Sequence, residues 1–452
     1  MRKIIVYLLV ISLGLLLKAC DTTDPPDNKS LALKLEDVSC TEAWIELTTT
    51  NLQLPTTITL KQTNPTGDTK SQILNLNTKD SLLYIDSLLP NQTYRFQAIS
   101  QSTNQSIKSN EITAATIDTT SHNFTWQNFS FGDYNPSTLF DVAIIDENNI
   151  LAVGEIYLND SFGNEDPQPY SIAKWNGNNW EPKKLFYDIN LIVTSIRGII
   201  VLSPYNIYLA GGSIFHWDGN SSTVELVYSR LNLPDPNGTI EKIWGNSNSS
   251  IYGVGNAGSC VFYNGSSWQI IESGTDVDLL DVWGSPDGSV VWACGYYRDR
   301  PGTFLLRSTG GNFEMAYDGT SNEFKILQDT ISGAMTSVYT LNEKRIFVCS
   351  TSGVYNAASN TNGNGKRLSF TPGQFPGLPY RLRGNGINDL TIAGDNSFIG
   401  HYNGYSWKNF EELFASDIRL LSVAQKGDLI VAVGYQYLLP WYSPGIIYIG
   451  RR

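Results

Sequence analysis

The chain has 452 residues, with 31 Lys and Arg against 43 Asp and Glu, a formal net charge of −12. That length exceeds one ordinary domain, and an acidic balance without a basic cluster argues against nucleic acid as a partner. Five scattered cysteines without a C-x-x-C pair argue against a disulfide framework or a zinc site, and no metal or cofactor is expected.

The chain opens on Met1-Arg2-Lys3, a short basic segment, followed by an almost wholly apolar run from Ile4 to Leu17. The run is shorter than the roughly 18–20 residues a bilayer span needs, so residues 1–19 read as a signal peptide. Leu17, Ala19 and Cys20 resemble the bacterial lipobox. That resemblance implies lipidation of Cys20 and an exported protein anchored to an envelope membrane, with the outer membrane or cell surface favoured. Residues 20–30 then form a polar, Pro-bearing tether with no means of building a core.

Residues 31–117 hold alternating runs such as "AWIELTTT", "TITLKQT" and "YRFQAIS", separated by Asn, Pro, Gly and Ser clusters. This spacing predicts a small β-sandwich. Leu88, Pro90 and Tyr94 in "SLLPNQTYRFQAIS" resemble the Leu-x-Pro-x-Thr-x-Tyr run of the fibronectin type III family, with Gln92 in place of the Thr. The resemblance implies that the Tyr94 hydroxyl pins a strand corner and that the domain is a stalk. Ala43, Ile45 and Leu47 alternate on one face, leaving Trp44 on the other.

Residues 121–452 are repetitive. "FYNGSSWQII" (from Phe262) returns as "KWNGNNWEPK" (from Lys174), "HYNGYSWKNF" (from His401) and, blurred, "HWDGNSSTVE" (from His216). The motif reads as the last hairpin of a four-stranded antiparallel unit. Asn-Gly suits a type I′ turn, and the Trp that follows covers the neighbouring sheet. A second strand recurs seven times, ending at Gly154, Gly211, Gly255, Gly295, Ser350, Gly394 and Gly434. That is the period of propeller blades with loop insertions.

The seventh unit shows three strands, "IRLLSVA", "LIVAVG" and "GIIYIG". "FTWQNF" (Phe124 to Phe129) mirrors the fourth strand "YSWKNF" (Tyr405 to Phe410). The segment upstream should therefore complete the last sheet and leave no open edge. The fold class is thus all-β, a fibronectin-like sandwich followed by a β-propeller of seven blades. This part resembles the bacterial β-propellers of the sialidase and kelch repeat groups, without their catalytic motifs.

His216 and His401 take repeat positions, and Cys294 and Cys349 stand where other units have Val, as small buried hydrophobes. Links between first and second strands are short. Long links gather on the opposite side, in 155–170, 296–304 and 435–445 of units one, four and seven, and in 228–238 and 371–380 between units. These carry Tyr157, Tyr170, Tyr296, Tyr297, Arg298, Arg300, Tyr437, Trp441 and Tyr442, with Glu165 and Asp166. Aromatic side chains give contact area at small entropic cost, and charged groups add orientation. The expectation is a monomeric, non-catalytic binder of a glycan or an envelope protein. The alternative is a carbohydrate-active hydrolase or lyase using carboxylates on the same face.

Overall fold

The computed structural model describes residues 28–102, 105–189, 191–319, 333–358, 365–368, 375–438 and 443–452. The signal segment, Cys20 and most of the tether lie outside the described residues, as do Trp441 and Tyr442. The chain divides into two compact units, Met1–Ile117 and Asp118–Arg452. No α-helix occurs among the described residues, and no helix is long and apolar enough to cross a membrane.

Alternation of apolar and polar residues builds the first unit as two antiparallel sheets. One comprises Ser30–Val38, Ala43–Thr50 and Asp80–Ile85; the other is built on Thr56–Thr63 and Thr93–Ser102. Ala43, Ile45 and Leu47 are fully buried together with Phe96 and Leu60. Trp44, on the opposite face, meets Tyr84 edge-on at 5.7 Å. The Tyr94 hydroxyl accepts a hydrogen bond from the Leu89 N–H at 2.9 Å, tying the strand to the chain just before it.

The second unit contains seven four-stranded antiparallel sheets among the described residues. Their first strands are Thr138–Asp146, Gly198–Ser203, Lys242–Ser247, Asp278–Gly284, Met335–Asn342, Pro379–Gly386 and Ile418–Lys426. Each first strand packs on the next, and the seventh packs on the first, so the strands form a closed ring. The fourth strand of the seventh sheet is Thr125–Phe131. It pairs with Gly445–Arg451 in the register Trp126 to Gly450 and Ile447 to Phe129. The ring is thus fastened by chain from upstream of it, as the sequence predicts.

Packing explains the glycine at the end of the second strand. A Cβ on Gly154 would lie 2.0 Å from the Thr138 carbonyl oxygen, and one on Gly434 would lie 1.8 Å from that of Arg419. Such separations are impossible for carbon and oxygen. The first strand has a register shift at this level, between Leu139 and Asp141 in sheet one and between Leu420 and Ser422 in sheet seven. The bulge brings its carbonyl over the glycine.

The Asn-Gly turn differs from the expected type I′. Gly265 has φ of 93°, but Asn264 is not in the left-handed region. Instead the Asn264 carboxamide oxygen accepts from the N–H groups of Ser266 and Ser267 at 2.9 and 3.0 Å. Asn176 and Asn403 do the same in their sheets. The side chain closes a four-residue turn, which an Asx residue does well. The Trp that follows then pairs with the aromatic before the Asn, with ring centroids 5.1 Å apart for Tyr263 and Trp268.

Candidate functional site

The ring axis carries a layer that is polar in every sheet but one, set between strands with many buried apolar residues. One residue of each first strand sits opposite Val153, Ala210, Val254, Cys294, Cys349, Ala393 or Val433 of its second strand. These residues are Asp141, Gly198, Lys242, Asp281, Ser337, Arg381 and Ser422. The register shift recurs here in five of the seven sheets. Cys294 and Cys349, behind the layer, are buried free thiols whose burial holds them protonated.

Asp281 is the most heavily bonded group of the layer. Arg383 binds it two-pronged, at 2.8 and 3.0 Å, and Arg381 pairs with it as well. The Ser337 hydroxyl and the Val338 N–H donate to it at 2.6 and 3.1 Å. Burial pushes its pKa up, but the two guanidinium groups outweigh burial and hold it at about 2. Across the layer, Asp141 accepts from the Ser422 hydroxyl at 2.6 Å and lies 3.4 Å from Lys242. Burial lowers the Lys242 pKa to about 8, against the pull of Asp141. Asp141 itself ends below the usual carboxylate range because Lys242 and Arg381 overcome its own desolvation.

Above this layer opens a cavity of about 680 Å³. All seven sheets line it, through Thr138, Arg197, Lys242, Asp278, Thr336, Arg381 and Arg419 at the start of, or just before, their first strands. A second, smaller cavity of about 320 Å³ lies along the first strands further on, and Lys242 lines both. The larger mouth faces the side where second-to-third links depart, since Tyr296, Arg298 and Tyr435 also line it. Its rim is paired: Arg197 with Glu241 at 3.1 Å, Arg298 with Asp278 at 3.0 Å, and Arg419 with Asp395 at 2.6 Å. Arg197 stacks over Phe140 at 4.6 Å, and Arg419 lies 5.5 Å from the Tyr380 ring centroid.

Of the residues expected on the binding face, the structure brings Tyr296 and Arg298 to the mouth. Exposed Tyr437 adjoins it, its hydroxyl 2.7 Å from that of Tyr435 and its ring beneath Arg419. Tyr297 and Arg300 stack on each other and both bind Asp276. Tyr157 packs edge-on against Tyr134, and Tyr170 lies under the Lys184 ammonium, which pairs with Asp166. The axial residues Arg197, Lys242, Tyr380, Arg381 and Arg419 were missed by sequence reasoning. For Lys242 and Arg381 the signal is a charge at the level where sister strands hold Gly198, Ser337 and Ser422.

No protein-family model matches the chain, and no curated protein matches it. Among solved structures, YCF48 bound to D1 peptide is similar at 14% identity, with a TM-score of 0.52, over 74% of this chain and 99% of that one. The second unit is a β-propeller. Kuenenia stuttgartiensis hydrazine synthase is similar at 12% identity over 66% of this chain and 92% of that one, with a TM-score of 0.45. The extracellular domain of a putative one-component system from B. thetaiotaomicron is similar at 12% identity over 90% and 62%, with a TM-score of 0.35. At these identities the likeness is one of fold.

Proposed function

We propose that this chain is a non-catalytic binding protein whose ligand enters the axial mouth of the propeller. The observation that carries this reading is the 680 Å³ cavity walled by all seven first strands, with arginine and tyrosine around its rim. That volume is typical of sites that enclose a small ligand or the end of a larger one. A rigid ring fixes the lining side chains before the ligand arrives, which limits the ordering cost of binding.

A glycosidase-like role fits less well. General acid catalysis needs a carboxyl that still holds a proton near the working pH. Asp281, held at about 2, stays ionised.

In the same proposal, Cys20 carries the lipid that retains the protein at the envelope. The sandwich, which resembles the fibronectin type III family in Leu88, Pro90 and Tyr94, serves as a spacer in the chain between anchor and propeller. A glycan or an envelope protein is the partner. The test is capture of envelope glycans and proteins by the full chain and by a Thr138→Trp variant. Thr138 lines the mouth, so the indole occupies it. Loss of the captured partner with unchanged circular dichroism supports the reading, and undiminished capture overturns it. Metabolic labelling with palmitate, compared between the native chain and Cys20→Ser, tests the anchor.

A further inference from the structure

This inference rests on the mouth being the binding site, and it concerns which end of a ligand fits there. The walls are first strands on every side, and the charged layer lies beneath. A chain passing through sideways is excluded by that geometry, so the mouth receives a terminus.

The charges define the terminus further. On the rim each arginine has its own carboxylate. In the layer and just beneath it, Lys242, Arg381 and Arg383 pair, among the described residues, only with Asp141 and Asp281, and Asp281 is shared by both arginines. The axis therefore carries one surplus positive charge, on a protein whose net charge is −12. Arg381 is 4% exposed, and its Nε has no hydrogen-bond partner among the described residues. A surplus of one suits a singly charged carboxylate. A doubly charged phosphate would meet Glu241 and Asp278 with too little positive charge to offset both.

The neutral groups complete the picture. Tyr296, Tyr380, Tyr435, Thr138 and Asn256, all with polar side chains, line the cavity. The Tyr380 hydroxyl is committed to Asp395 at 3.0 Å, and burial keeps that phenol un-ionised well above its ordinary range. The rim carboxylates accept readily from hydroxyl groups, which a terminal sugar presents around its ring and a peptide terminus mostly lacks. Aromatic faces beside them suit the apolar face of a pyranose ring.

We propose that the mouth seats the terminal carboxylate-bearing sugar of a glycan, of the uronate or sialate class. The carboxylate lies toward Arg381, and the ring hydroxyls reach Glu241, Asp278 and the tyrosines. The test is calorimetric titration of the full chain with oligosaccharides ending in glucuronate, galacturonate or sialate. Their methyl esters, neutral counterparts and an acidic tripeptide with a free carboxyl terminus are titrated alongside.

At least one acid-ended sugar should bind, with its ester and neutral counterpart at least tenfold weaker. Arg419→Gln and Tyr380→Phe should each weaken it several-fold while leaving the circular dichroism unchanged. Arg381 is left intact because it also holds Asp281. Equal affinity for acid and ester, or binding of the peptide alone, overturns the acidic-sugar assignment while leaving the mouth as the site. Binding of an acid-ended sugar that Thr138→Trp does not weaken overturns both. No binding across the whole panel overturns the sugar assignment, and the capture experiment with Thr138→Trp then decides separately whether the mouth binds anything.

Discussion

His122 and His401 meet nitrogen to nitrogen, with Nδ1 2.7 Å from Nδ1. His401 Nε2 lies 2.7 Å from Asp389 Oδ1 and so donates there, which leaves its Nδ1 to accept from His122. The remaining His122 nitrogen accepts from Ser406 Oγ at 3.3 Å. Asp389 is held on its other side by Arg452 at 2.9 Å. This relay binds the segment just upstream of the closing strand to sheet six and to the last residue of the chain.

The pH dependence follows from His122. Burial first, and then the neighbouring His401, lower its pKa from 6.5 to about 4. The folded protein therefore binds this proton less readily than the unfolded chain. Stability falls as pH drops below about 6.5 and continues to fall until about 4, where the folded form also takes up the proton. Nuclear magnetic resonance of the ring protons should show His122 titrating near 4. Acid unfolding of His122→Asn should be flatter across that window than that of the native chain. A His122 titrating at its ordinary value would contradict the relay.

The close approach at the second-strand glycines gives a second prediction. Gly434→Ala puts a methyl group against the Arg419 carbonyl and should cost at least about 2 kcal/mol, measured by denaturant unfolding. Sheet five has Ser350 at this level, so its backbone already accommodates a Cβ. Ser350→Ala, which removes an acceptor for the Ser352 N–H and a long donated bond to the Gly353 carbonyl, should cost about 1 kcal/mol. Equal costs would show that the carbonyl contact is not what selects glycine.

The charged layer gives a third. Asp281→Asn leaves Arg381 and Arg383 without their carboxylate and should destabilise the propeller by about 3–5 kcal/mol. Adding Arg383→Met should recover part of that loss, because one stranded charge is then gone. Failure of the second change to recover stability would mean that the cost comes from packing rather than charge.

The ring was legible in the sequence because each sheet repeats the same problem. Four short strands, a glycine under a bulge and an aromatic pair across a turn leave a recurring trace, and Thr125–Phe131 matches the fourth-strand pattern closely enough to expose the closure. The mouth was less legible. Tyr296 and Arg298 fall on a long link and stand out, whereas Asp281 and Arg381 sit in strands and follow a register shift. The shift displaces them from simple alternation, so their shared level becomes visible only when the seven strands are laid side by side. The Asn-Gly turns misled for a related reason: the dipeptide fits a type I′ turn, but the Asn264 side chain supplies the hydrogen bonds that a second left-handed residue would otherwise replace.

Hydrogen exchange of the full chain, with and without a bound acid-ended oligosaccharide, tests the axial site most directly. Slowed exchange should be confined to segments around Thr138, Lys242, Asp278, Arg381 and Arg419. Slowing confined to the outer fourth strands, such as Trp180–Lys183 and Trp407–Asn409, would place the ligand on the rim of the propeller and contradict the account.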